Sequence, residues 1–221
     1  MSWGDQPIFF VDFEGNRTSG VLEYGVVTLL RGEVVEARTR LCQPIGRILA
    51  GDTAVHGLSN PMLDRCAPFS DEWEYFAGLR ERGPLAAHYA GVENSLLKAA
   101  WPYPRSSPDF ARPGEHVFDW GPWVDTARLY AQLYPALESG RLEALIAAAG
   151  LGSALDTASA AHCPADRRHY HAALYDALAG ALLLGALARD PQVSQLTTMQ
   201  LLALSTLDPR KRDDLTQREL F

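Results

Sequence analysis

The chain has 221 residues, of which 47% are hydrophobic and 21% charged, and a formal net charge of −7. That composition suits one generous soluble globular domain, or one domain with an appendage, and not a collagenous or disordered chain. The acidic balance argues against wholesale electrostatic capture of duplex nucleic acid, though not against a nuclease whose carboxylates are offset by bound cations.

Three cysteines, Cys42, Cys66 and Cys163, form no CxxC pair, and no basic segment followed by an apolar run opens the chain. A reduced, cytoplasmic setting is the expectation. The longest apolar run, Ala177 to Ala188, is too short to span a bilayer and reads as a buried helix, so no membrane partner is expected.

Ile8 to Phe13 is a compact apolar run that reads as a buried central strand. Glu23 to Leu30 and Glu33 to Leu41 follow as two more strands around Gly32, an antiparallel meander. Pro44 to Pro68 reads as loop and short helix. Ser70 looks like an N-cap for a helix running to Arg82 and stopped by Gly83-Pro84. Leu85 to His88 is a short fourth strand, and Val92 to Ala100 a helix closed by Trp101-Pro102. Pro102 to Pro122 is a long irregular stretch, and loops of that length are often functional. Trp123 to Thr126 reads as a fifth strand entering a helix from Ala127 to Tyr134. Further helices are expected over Leu142 to Ala149, Arg168 to Leu187 and Thr197 to Leu207. The sum is an α/β domain with a mixed five-stranded sheet flanked by helices, over residues 6–190, and a helical C-terminal extension over 191–221.

Three acidic constellations carry chemistry. Asp12 and Glu14 are alternate residues of the first strand, so both carboxylates project from one face. Two adjacent buried acids are costly unless a cation joins them. Taken alone, Asp12-Phe13-Glu14 leading into Gly15-Asn16 is equally compatible with a strand entering a polar turn. Glu93 stands in the first turn of a helix, where the helix dipole alone would justify it. His171 and Asp176 are five apart on the long helix, a spacing that does not stack at 3.6 residues per turn but lets both flank a site at the helix end.

In order and spacing, strand-DxE, strand-turn-helix-acid and HxxxxD resemble the DEDDh family of 3′-to-5′ exonucleases, from about Ile8 to Leu184. Val55-His56-Gly57-Leu58 resembles a His-Gly-aliphatic segment of that family, and Asp125-Thr126 an Asp-Thr that follows its second motif. The resemblance implies a ribonuclease H-like fold and a catalytic set of His171, Asp12, Glu14, Glu93 and Asp176. It also implies two Mg²⁺ or Mn²⁺ ions held by the four acids, with His171 as general base. Phe13, Gly15, Asn16, His56, Gly57 and Leu58 would grip the terminal nucleotide. The implied partners are nucleic acid 3′ ends, single-stranded DNA before RNA, with nucleoside 5′-monophosphates as products. Glu93 departs from the family, whose second acid is usually Asp, and Gly15-Asn16 departs from its Thr-rich segment. A non-catalytic nucleic-acid-binding module and a hydrolase of small phosphodiesters stay open as alternatives.

His162, Cys163, His169 and His171 match no structural zinc spacing, and no zinc is expected. Small basic patches at Arg167-Arg168 and Arg210-Lys211-Arg212 are candidates for substrate contact. Aromatics around the long loop, Trp101, Tyr103, Phe118, Trp120 and Trp123, either stack on bases or anchor the loop, the second being favoured. Gln217 to Phe221 resembles a bacterial sliding-clamp-binding pentapeptide with Arg218 at the usual aliphatic position, which makes a clamp a candidate partner. Family members often dimerise, so a homodimer stays open.

Overall fold

The computed structural model describes residues 2–206. Strands β1 (Ile8–Asn16), β2 (Gly20–Leu30) and β3 (Glu33–Leu41) form the expected meander. Helices α1 (Ala50–His56) and α2 (Asn60–Leu63) follow, then α3 (Trp73–Arg82), β4 (Leu85–Ala87) and α4 (Ala90–Ala100). The long loop carries only the two-residue strands β5 (Ser107–Pro108) and β6 (His116–Val117). After it come β7 (Trp123–Asp125), α5 (Thr126–Leu133), α6 (Leu142–Ala148), α7 (Gly152–His162), α8 (Ala173–Ala188) and α9 (Thr198–Leu204).

The main sheet has the order β3-β2-β1-β4-β7, antiparallel across the meander and parallel from β1 through β4 to β7. β1 is central and apolar on both faces because both faces are covered. Ile8 and Phe10 pack with Leu174 and Ala177 of α8, whereas Phe9, Val11 and Phe13 pack with Phe76 of α3 and Leu97 of α4. Residues 191–206 lie against the body. The Trp3 indole donates to the Val193 carbonyl at 2.8 Å, Gln132 Nε2 to the Thr206 carbonyl at 3.0 Å, and Leu201 and Leu202 are buried. No helix of the described residues is long and apolar enough to cross a membrane.

The structure adds to or departs from the sequence reading at four places. Ser70 caps nothing: Phe69–Glu72 form a 3-10 turn and α3 begins after it. The long helix begins at Ala173, not Arg168, because His171 adopts φ +64, a left-handed conformation that no α-helix can pass through. α7 is an additional helix, rich in Ala and Ser, that buries little besides Leu155 and Ser159 and so shows no apolar stripe. The segment Glu14-Gly15-Asn16 remains in the strand through a bulge. Gly15 has φ +126, and a Cβ there would lie 2.1 Å from the Gly20 carbonyl oxygen. The tail motifs at Arg210–Arg212 and Gln217–Phe221 lie outside the described residues.

Candidate active site

The site lies at the carboxyl ends of the parallel strands β1 and β4. In the parallel register Phe10 pairs with Ala86, so Asp12 and Glu14 extend beyond the last residue of β4. Three elements bring the remaining side chains to them.

The first is α8. Across the antiparallel ladder Asp12 faces Gly25 and Glu14 faces Glu23. The start of α8 sits directly on Gly25: a Cβ there would lie 2.4 Å from the Ala173 oxygen and 2.5 Å from Leu174 Cα. Only glycine admits that approach, which sets Asp176, in the first turn of α8, over the two strand acids. Further along, Gly180 rests on the Phe10 ring, where a Cβ would lie 2.1 Å from Cζ.

The second is α4, whose N-terminus Asp125 ties down. At the end of β7, Asp125 accepts hydrogen bonds from the Tyr89 and Ala90 amides (3.2 and 3.1 Å) and from those of Ala127 and Arg128 (3.0 and 3.3 Å). One carboxylate thus caps α5 and holds the first turn of α4, with Tyr89 in a left-handed conformation at its entrance. Glu93, four residues on, is buried and accepts from the Phe13 amide of β1.

The third is the segment before α8. His171 is exposed, and its amide donates to Asp176 Oδ2 at 3.0 Å. Glu14, His171 and Asp176 each offer a ligand-type atom, all within 4.8 Å of one another, a spacing one divalent ion can span.

The electrostatics follow from crowding. Burial and then Glu93, Asp176, Glu14 and Glu23 push the Asp12 carboxyl well above its ordinary range. Burial raises Glu14 to about 8, with Asp176 and Glu23 adding to it and Arg167 opposing. Burial and Glu14 raise Glu93, while the Phe13 amide pulls it back. Asp176 rises to about 7, mainly through burial and against the His171 amide. Acids this crowded cannot all ionise together: they either keep protons or share a cation. Glu93 Oε2 and Asp176 Oδ1 are buried without a hydrogen-bond partner, an arrangement that costs stability unless an electrophile occupies those lone pairs. Oxygen donors with an imidazole alongside suit Mg²⁺ or Mn²⁺.

The six residues expected to grip a nucleotide divide. The Phe13 and Leu58 side chains are in the core, so only their backbone is available at the site. Gly15 forms the bulge, and Asn16 is engaged by its own hairpin, accepting from the Thr18 and Ser19 amides and donating to Asp52 at 2.9 Å. His56 is buried with Nδ1 accepting from the Leu58 amide at 3.1 Å, Nε2 unpartnered and its pKa lowered by burial; Gly57 is left-handed.

Two residues carry more than the sequence indicated. Glu23, buried opposite Glu14, is a fifth acid beside the cage. Arg167 is bound to it and is not a free basic patch; Arg168 likewise donates to the Cys163 and Ala160 carbonyls. Around the loop, Trp120 is buried in the core with the half-buried Trp101 and Trp123 packed against it, whereas Tyr103 and Phe118 are 90% and 76% exposed.

Neither a protein-family model nor a curated protein sequence matches the chain. Solved structures do. Exonuclease X in complex with 5′ overhanging duplex DNA is 20% identical with a TM-score of 0.66, over 90% of this chain and 99% of that one. The nuclease domain of 3′hExo, described as a DEDDh family member and bound to rAMP, is 14% identical with a TM-score of 0.60, over 85% and 94%. Exonuclease I from Methylocaldum szegediense is 16% identical with a TM-score of 0.64, over 96% of this chain and 45% of that one. The shared architecture is the ribonuclease H-like fold, with the mixed five-stranded sheet described above.

Proposed function

We propose that the chain is a metal-dependent 3′-to-5′ exonuclease of the DEDDh type that releases nucleoside 5′-monophosphates, preferring single-stranded DNA and accepting RNA. The observation that carries this reading is the convergence of Asp12, Glu14, Glu93 and Asp176, from three separate elements, with the exposed His171 beside them. The exonuclease structures of the same fold support it.

Asp12, Glu14, Glu93 and Asp176 would hold two divalent ions, which when bound supply charge neutralisation and lower the pKa of water at the scissile phosphodiester. The chain's own residues do the rest. His171 stands exposed beside Glu14 and Asp176 and accepts the proton of the attacking water at a ring nitrogen. Asp176, by accepting from the His171 amide, fixes that residue's backbone. His56, neutral through burial, keeps its Nδ1 on the Leu58 amide and so holds the turn around Gly57 in shape for the terminal nucleotide.

The test is release of mononucleotides from 3′- and 5′-labelled strands of DNA and RNA with Mg²⁺ or Mn²⁺. Wild type should shorten strands from the 3′ end, Asp12→Ala should abolish this, and Glu93→Asp should retain it. Activity that survives both Asp12→Ala and chelation refutes the metal cage. Tight 3′-end binding with no turnover under either ion would establish a binding module instead.

A further inference from the structure

Arg167 makes more connections than an ordinary ion pair requires. Its side chain is 12% exposed, and that of Glu23 3%. Nε donates to Glu23 Oε1 at 3.2 Å, and a terminal nitrogen closes the fork on Oε2. The same terminal nitrogen reaches the His171 carbonyl at 3.3 Å, and the other donates to the His56 carbonyl at 2.7 Å. Four of the five guanidinium N–H groups are therefore spent, on three separate segments. Glu23 in turn accepts from the Ala173 amide at 3.1 Å, fastening the first residue of α8 to β2.

The consequence falls on His171. A non-glycine residue at φ +64 is in an unfavourable conformation that persists where its surroundings dictate it. Both peptide groups of His171 are held: its N–H by Asp176 and its carbonyl by Arg167. The guanidinium that holds the carbonyl also holds His56, at the head of the Gly57 turn, 111 residues away.

Resting on the exonuclease reading above, we infer that Arg167 is a positioning residue that locks the proton-accepting imidazole and the nucleotide-gripping turn into one frame, using Glu23 as its anchor. It fixes the distance between the group that accepts the proton and the segment that seats the terminal nucleotide. A lysine keeps the charge but not the fork, since an ammonium is a point donor that cannot meet three acceptors in that plane. Glu23→Gln with Arg167→Met removes both charges together, so no lone buried ion remains. The carboxamide introduced by Glu23→Gln still offers an oxygen to the Ala173 amide.

The experiment measures hydrogen exchange in metal-free wild type, Arg167→Lys and Glu23→Gln/Arg167→Met, and kcat of each on a single-stranded oligonucleotide with Mn²⁺. In both variants the Leu58 and His171 amides are expected to exchange at least about tenfold faster, with the strands of the sheet unchanged. kcat is expected to fall about 100-fold, the usual consequence of a displacement near 1 Å at a reacting group. Wild-type protection at those two amides overturns the inference. So does faster exchange spread evenly through the sheet, which marks an ordinary structural ion pair, and so does local opening with wild-type kcat. Should wild type prove to have no nuclease activity, the exchange data alone decide whether the clamp exists.

Discussion

Gly25→Ala is the substitution that most sharply probes how the site is assembled. The added Cβ would stand 2.4 Å from the Ala173 oxygen, where ordinary contact begins at 3.4 Å, so α8 must withdraw from β2 by about 1 Å. The atoms in the way are backbone at the first turn of the helix, with no flexible side chain to swing aside. Overpacking of this kind costs about 1–3 kcal/mol. A domain of this size loses about 2–4 °C of Tm per kcal/mol, so Tm should fall by roughly 2–12 °C. The functional effect is larger, because Asp176 rides on that turn and His171 is bonded to it. A shift of about 1 Å between reacting groups lowers kcat by about 100-fold. The assay pairs thermal unfolding with mononucleotide release from a labelled single strand. Gly78→Ala is the control: it lies inside α3 with open space where its Cβ would go. It should be neutral or stabilise by about 0.5–1 kcal/mol. Full activity in Gly25→Ala would refute the claim that close helix-to-strand contact places the acids.

The raised carboxyls give a pH signature. Glu14 rises from 4.5 to about 8 and Asp176 from 3.8 to about 7, so the folded protein retains protons that the unfolded chain has released. Their contribution is fully present below about pH 4 and is lost as pH climbs through 7 and 8. Metal-free protein should therefore lose Tm over that window, and Mn²⁺ should restore it increasingly as protons cease to compete. At 100 times Kd the ion contributes about 2.7 kcal/mol, or roughly 5–11 °C at pH 8; an ion effect equal at pH 5 and pH 8 would contradict this. Asp125→Ala strips the shared acceptor from the first turns of α4 and α5 and should cost about 1–4 kcal/mol in urea unfolding, as two lost caps, with Asp125→Asn recovering part. A loss under about 0.5 kcal/mol in Asp125→Ala would be too small for a double cap.

The architecture is legible in the sequence because its signals are local. An apolar run ending in Asp12, a turn at Gly32 and the alternation of Glu33 to Leu41 are read within a few residues, and the third strand has the expected bounds. The acids of the proposed site stand out in the sequence as Asp12-Phe13-Glu14 on an apolar strand, Glu93 in the first turn of a helix and Asp176 on an apolar helix. What escapes depends on distant partners. Glu23 and Arg167 are 144 residues apart, and nothing near either one announces the other. Arg167 and Arg168 read as a basic patch because adjacency in sequence says nothing of the buried acceptors that consume their hydrogen bonds. The start of α8 reads too early because Arg168 to Ala172 has ordinary helical composition. The left-handed backbone of His171 is held by Asp176 and Arg167, neither of which its immediate sequence neighbours announce. Asp125 is visible as part of an Asp-Thr pair, but its hold on α4 emerges only when β7 lies beside β4.

Titration calorimetry of the metal-free protein with Mn²⁺ at pH 8, in wild type and in Asp12→Ala, probes the cage without reference to any substrate. The proposed metal cage predicts uptake of two ions per wild-type chain and loss of at least one of them on removing Asp12. A wild-type protein that takes up no Mn²⁺ at millimolar concentration, or a variant that binds both ions as tightly, would contradict the account at its root.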